Sequence, residues 1–198
     1  MIKAESGKGF IQVFYGHGKG KTAAALGYVM RAAGHGLSAY VVQFLKADKR
    51  SGEFQLAEQV LSNVKMEAFG RRCPYMDLLR QGLIQCEECR ECFVKPKKVL
   101  QLDRELALMA LDTVRDCFKT ARFDIIVLDE VLLALEYRLV SAQDLVELLA
   151  HKPEGVELIL TGPDAPQEIL EMADRASLLE EVKSPRKAGA KSRAGLDY

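Results

Sequence analysis

Gly16-His17-Gly18-Lys19-Gly20-Lys21-Thr22 places three glycines, two lysines and a hydroxyl within seven residues, between an apolar stretch and a run of helix formers. These are the parts of a polyphosphate cradle. Gly16, Gly18 and Gly20 permit the positive φ angles that turn successive backbone N–H groups toward one anion, and the following helix offers its positive N-terminal end to the same anion. Lys21 supplies a point charge for phosphate oxygens, and Thr22 a hydroxyl for Mg2+. The pattern G-x-x-x-x-G-K-[ST] begins with glycine where this chain has Tyr15, so the loop is a variant, with Lys19 as an extra cation inside it. His17 either touches a phosphate or fills a tolerant position.

A second cluster suits the same chemistry. Asp129 and Glu130 follow the apolar run Ile125-Ile126-Val127-Leu128. At the carboxyl end of a central strand, one carboxylate holds Mg2+ directly or through water, and the other binds metal or polarises a nucleophile. An acidic pair in this position also serves as a helix N-cap.

Cys86-x-x-Cys89-x-x-Cys92, preceded by Cys73, has metal-like spacing. Four thiolates suit a tetrahedral Zn2+ site that pins a loop too polar to build its own core. Iron–sulfur ligation is the lesser alternative, because position 96, where a fourth cysteine would follow, is Pro96. Free thiols on a charged loop are the third. Cys117 reads as a core residue.

These residues need a frame, and the chain supplies one. At 198 residues it fits a single α/β domain spanning 1–198. Lysine plus arginine and aspartate plus glutamate both number 28, so no charge excess points to nucleic acid or an anionic membrane. No apolar run approaches the ~18–20 residues that span a bilayer, and residues 1–10 lack a signal-peptide core, so the cytoplasm is expected.

Strands are expected at 10–15, 38–44, 64–69, 124–128 and 156–160, with a last one at 178–182. Helices are expected at 22–33, 53–61, 99–119, 142–150 and 166–174. The long helix carries Leu102, Leu106, Met109, Ala110, Thr113 and Val114 at helical spacing. Residues 70–98 lack periodicity and read as an irregular, cysteine-bearing excursion with room for a short helix. Alternating strands and helices predict an open, mostly parallel sheet with ligands beyond the carboxyl ends of its strands.

Nearly the whole chain resembles the P-loop ATP:corrinoid adenosyltransferases, which act on cob(I)alamin and cob(I)yrinic acid a,c-diamide. The likeness rests on GHGKGKTAAALG at 16–27, RAAGHG at 31–36, VVQFLK at 41–46 followed by Gly52-Glu53, and IIVLDE at 125–130. LTG at 160–162, ILEMAD at 169–174 and the terminal AGLDY continue it in order. The resemblance implies a RecA-like P-loop NTPase fold and a reaction in which a Co(I) corrinoid attacks the 5′ carbon of ATP and expels tripolyphosphate. It also implies a triphosphate chain reversed in the loop, a homodimer, and a reductase that supplies Co(I). Gly16, Gly18, Lys19, Gly20, Lys21 and Thr22 match the triphosphate loop, and Asp129 with Glu130 the acidic pair near Mg2+.

Some members have an arginine after LTG, where this chain has Pro163, and a histidine after a late lysine, where it has Ser184. Phe69 and Tyr75 are candidates for the corrinoid face. The basic tail with Lys183, Arg186, Lys187, Lys191 and Arg193 is either solvated or closes over the site. Two readings compete with the adenosyltransferase: a P-loop ATPase or kinase in which Glu130 orients the nucleophile, and a metal- or redox-responsive nucleotide- or corrinoid-binding protein.

Overall fold

The computed structural model describes residues 7–47, 51–85 and 91–184. Six parallel strands form one open sheet in the order β3-β2-β4-β5-β1-β6, with β1 Ile11–Tyr15, β2 Ala39–Phe44, β3 Val64–Phe69, β4 Ile125–Asp129, β5 Glu157–Gly162 and β6 Arg175–Leu178. The connecting helices are α1 Lys21–Gly34, α2 Gly52–Gln59, α3 Met76–Arg80, α4 Gln101–Thr120, α5 Val131–Glu136, α6 Ala142–Ala150 and α7 Gln167–Met172. This is an α/β fold of the P-loop NTPase kind, with β5 lying between the strand that leads into the glycine loop and the strand that carries the acidic pair.

The near-continuous apolar strands are explained by burial on both faces. Along β4, Ile125 and Val127 enter the core shared with Ala25, Val29 and Ala32 of α1 and Phe54 of α2. Ile126 and Leu128 enter the opposite core, shared with Ala107, Leu111 and Val114 of α4 and Leu145 and Leu148 of α6. The alternation follows from the two-residue strand period.

Three sequence expectations are corrected. The last strand is Arg175–Leu178, not 178–182. Its partner β1 ends at Tyr15 and turns at Gly16 (φ 123°), so the regular ladder stops at the Tyr15–Leu178 pair. The buried side of α4 is Asp103, Ala107, Ala110, Leu111, Val114 and Phe118, whereas Leu102 and Met109 face solvent. Both stripes have helical spacing, and the helix is rotated to place Asp103 inward. Finally, the acidic pair is followed by a short helix, α5, absent from the sequence reading.

Asp103 also fixes the excursion after β3. Its carboxylate accepts the Leu100 N–H at 2.8 Å, capping α4, and its other oxygen lies 2.7 Å from Arg71 Nε. That second contact is a close ion pair without the alignment of a hydrogen bond. Arg71 Nη2 approaches the carbonyls of Phe93 and Lys98 at 3.5 and 3.4 Å. One guanidinium thus gathers the start and end of the segment around a buried carboxylate.

Removing one partner of a buried pair leaves the other charge uncompensated. Asp103→Ala is expected to cost about 3–5 kcal/mol in urea unfolding. Asp112→Ala, which breaks an exposed pair with Arg115 on the same helix, is expected to cost under about 1 kcal/mol.

Candidate active site

Strand periodicity and register together set the centre of the site. Gln43 on β2 is the register partner of Asp129 on β4, and Thr161 follows Leu160, the partner of Leu128, on β5. All three continue the parity that faces α1, so a buried polar row crosses the carboxyl ends of the three central strands. The first turn of α1 meets that row with Thr22.

Asp129 is fully buried, and its carboxylate accepts four hydrogen bonds. Oδ1 takes Thr22 Oγ1–H and Thr161 Oγ1–H, each at 2.8 Å. Oδ2 takes Gln43 Nε2–H at 3.0 Å and the Lys46 ammonium at 2.7 Å. Burying an ionised carboxylate is costly unless it is paired and hydrogen-bonded, and here its acceptor capacity is filled. Three of the donors are neutral; Lys46 brings the opposite charge.

Thr161 also fixes the next residue. Its hydroxyl oxygen accepts the Glu130 N–H at 2.8 Å, and Glu130 has left-handed backbone (φ 62°) as it starts α5. Such a conformation costs a non-glycine residue roughly 1–3 kcal/mol and persists only where its surroundings impose it. The close packing of α5 on β5 helps impose it: a Cβ at Gly162 would lie 2.4 Å from Leu132 Cβ.

Burial, and then the adjacent Asp129 charge, hold the Glu130 carboxyl above its ordinary pKa, against the opposing pull of Lys46 and Lys21. For Lys46, burial works to lower the pKa. Asp129, with help from Glu130 and Glu53, outweighs it and leaves the ammonium above its usual value.

The glycine loop adopts a closed form. Gly16 and Gly20 have φ of 123° and 105°, and Lys21 Nζ donates to the carbonyls of Gly16 (2.6 Å) and Gly18 (2.7 Å). The chain beyond β6 lies against the loop: Leu179 N–H donates to Tyr15 O at 2.7 Å, and Leu179 O accepts Gly18 N–H at 3.3 Å. A Cβ at Gly16 or Gly18 would sit 2.3 or 2.8 Å from Leu179 O, so this contact by itself requires glycine. Lys19 is exposed. His17 is exposed as well, with Nε2 3.4 Å from Asp164 Oδ2. Asp164 also borders an open depression of about 380 Å³ lined by Leu132, Leu135, Glu136, Ala165 and Pro166.

The structure therefore joins Lys21, Thr22, Asp129 and Glu130 in one site. Gln43, Lys46 and Thr161 were missed as site residues, although each lies in a quoted motif, VVQFLK or LTG. A polar residue ending an apolar strand was the signal available. Tyr75 is exposed and Phe69 packs at the edge of the core.

Cys73 and Cys92 are partly exposed, whereas Cys86 and Cys89 lie outside the described residues, as do Arg186, Lys187, Lys191 and Arg193 of the tail. Lys183 is exposed. Among the described residues no three His, Cys, Asp or Glu side chains form a ready-made metal cage.

Residues 7–198 match the family described as ATP:corrinoid adenosyltransferase BtuR/CobO/CobP. The corrinoid adenosyltransferase of Escherichia coli (strain K12) is 31% identical over 198 residues, covering 100% of this chain and 90% of that protein. That of Salmonella typhimurium is 29% identical with the same coverages. A Sinorhizobium enzyme of the same description is 29% identical, covering 96% of this chain and 81% of its own length.

Two outcomes follow from the geometry. A raised carboxyl pKa in the folded state means that Glu130 favours folding when protonated, and that this contribution is lost as pH rises through the folded-state pKa. Glu130→Gln should therefore be more thermally stable than wild type at neutral pH, with the gap closing as the pH is lowered below the ordinary carboxylate range. Thr161→Val removes a donor to Asp129 and the acceptor of the Glu130 N–H, and should cost about 1–3 kcal/mol in denaturant unfolding.

Proposed function

This chain belongs to the ATP:corrinoid adenosyltransferase family and transfers the adenosyl group of ATP to a corrinoid, and we propose that the glycine loop and the Asp129 row hold the triphosphate while the corrinoid attacks. The observation that carries this assignment is the 2.8 Å hydrogen bond from Thr22 to Asp129, which ties the phosphate loop to the acid-bearing strand.

In the proposed reaction the Co(I) corrinoid, as substrate, donates an electron pair to C5′ of ATP. The cobalt–carbon bond forms, the C5′–O bond breaks, and tripolyphosphate leaves with that bond's electrons. The nucleophile comes with the substrate, so the protein's work is to position the reactants, stabilise the charge on the leaving group and exclude water. Gly16, His17, Gly18, Lys19 and Gly20 are assigned to the triphosphate. Lys21, folded onto loop carbonyls here, turns to the phosphate oxygens and, with Lys19, stabilises the charge gathering on the leaving group.

The donor set also suits Mg2+, which is usually held by one or two carboxylates and a hydroxyl together with substrate phosphates and water. Thr22 and Glu130 offer oxygens to it. Asp129, its lone pairs occupied by four donors, acts through Thr22 and water. When bound, Mg2+ supplies charge neutralisation along the triphosphate.

The open depression beside Asp164, with Leu132, Leu135, Ala165 and Pro166 alongside Glu136 and Asp164, offers a partly apolar surface near the loop for part of the nucleoside or the corrinoid. For the cysteine run we assign Zn2+, with iron–sulfur as the lesser alternative. Supporting this, Arg71 draws residues 71, 93 and 98 together, so that Cys73 and Cys92 flank one junction. A reductase that supplies Co(I), a homodimer and a cytoplasmic location complete the proposal. No described helix is long and apolar enough to cross a membrane.

Under anaerobic conditions with ATP, Mg2+ and chemically reduced cob(I)alamin or cobinamide, the wild type is expected to form a light-sensitive alkylcobalt product and tripolyphosphate. Lys21→Ala should lower the rate by about 100- to 1,000-fold. ADP and phosphate with no change in the corrinoid spectrum would overturn the assignment in favour of an ATPase. Stoichiometric zinc in protein purified with and without oxygen is the expected result for the cysteine run; the absence of both zinc and iron would defeat its metal assignment.

A further inference from the structure

Lys46 stands at the centre of the site without a role in the assignment above. It reaches Asp129 because the chain is bent there on purpose. β2 ends at Phe44, and Leu45 takes left-handed backbone (φ 62°), a conformation that a branched side chain seldom adopts. The bend is held by the Leu45 N–H, which donates to Phe69 O at 3.0 Å. Gly70 leaves room for it: a Cβ there would lie 2.6 Å from both Leu45 C and Lys46 N. The turn carries Lys46 across the end of β2 toward β4, where its ammonium meets Asp129 Oδ2 at 2.7 Å.

The two partners differ in access. Asp129 has no exposed surface, whereas the Lys46 side chain is 38% exposed. An ammonium has three N–H donors, and Asp129 is its one hydrogen-bond partner among the described residues, so donor capacity remains on the open side. Asp129 Oδ1, on the same carboxylate, holds Thr22, the residue after Lys21 in the phosphate loop. Lys46 is thus one carboxylate group away from the helix turn that the triphosphate must approach.

We propose that Lys46 is a polyphosphate-binding residue, held on Asp129 as an internal cation and transferred to phosphate oxygens when the metal–nucleotide binds. The physical reason is exchange of charge. A divalent cation arriving beside Asp129 repels the ammonium, while the phosphates that accompany it attract the same group. Without nucleotide, the Lys46 charge offsets the negative charge that would draw a metal toward Asp129; with nucleotide, it and the metal neutralise one polyanion. A flexible lysine suits such a transfer better than a forked guanidinium fixed by two hydrogen bonds.

This inference rests on the phosphate-loop assignment, and direct binding tests both separately. Calorimetric titration of Mg-tripolyphosphate and Mg-ATP into wild type, Lys46→Met, Lys46→Arg and Lys21→Ala is paired with Mn2+ binding followed by electron paramagnetic resonance without nucleotide. Lys46→Met should weaken both polyphosphate ligands by about 10- to 100-fold, the worth of one charge-assisted hydrogen bond. Lys46→Arg should recover much of that loss, and Mn2+ alone should bind Lys46→Met more tightly than wild type.

A purely structural ion pair would lower thermal stability and leave polyphosphate affinity unchanged, which would overturn the proposal. Weakened binding in Lys21→Ala with wild-type affinity in a folded Lys46→Met would defeat the role of Lys46 alone. Tripolyphosphate binding that Lys21→Ala does not weaken would defeat the phosphate-loop assignment and this inference with it.

Discussion

A carboxylate with no access to water, satisfied by four donors from four different elements, organises the functional end of this protein. Asp129 on β4 draws in Thr22 from α1, Thr161 from β5, Gln43 from β2 and Lys46 from the turn after β2. An unpaired buried charge would be worth several kcal/mol against folding, so the loss of any one donor has to be compensated at the carboxylate. The requirement to satisfy one charge therefore sets the glycine loop, the acidic pair and Lys46 in position relative to one another. The site's geometry and the fold's electrostatic balance are the same set of contacts.

Two strained backbones follow from that arrangement. Glu130 and Leu45 both adopt left-handed φ, at 62°, at the carboxyl ends of the neighbouring strands β4 and β2. Each is held by a specific bond, Glu130 by Thr161 and Leu45 by Phe69, and each lies beside a glycine-permitted close approach, at Gly162 and Gly70. Strain of this kind gathers where side chains must leave a strand in directions that regular pleating does not give. Here it directs Lys46 toward the carboxylate of Asp129 and starts α5 directly after Glu130.

The loop itself is held from the other side by the chain that leaves β6. Leu179 bonds to Tyr15 and Gly18, so the position of the glycine loop depends on residues more than 150 positions away in sequence. The same dependence explains the shortened final strand. Apolar residues at 178–182 have strand character, but a strand needs a partner, and β1 has already turned at Gly16. On α4 the stripe read from periodicity shares Ala110 and Val114 with the buried side but includes Leu102 and Met109, which face solvent. The buried side also carries Asp103, a polar residue that hydrophobic patterning ignores, ion-paired with Arg71.

By itself the sequence determined the α/β class, the parallel sheet, the order of its main elements, the variant phosphate loop, the acidic pair and the family. These are written in local signals: strand and helix periods, glycine where φ must be positive, and ordered motifs. Tertiary structure alone decided that Gln43, Lys46 and Thr161 share one carboxylate with Thr22, which way α4 faces, and where β6 ends. Those facts depend on strand order and register, which bring residues about 30 to 110 positions apart within one hydrogen bond of Asp129. Local propensity carries no record of which strand will lie next to which; that choice is made by the packing of two apolar faces and by the need to satisfy the one charge buried between them.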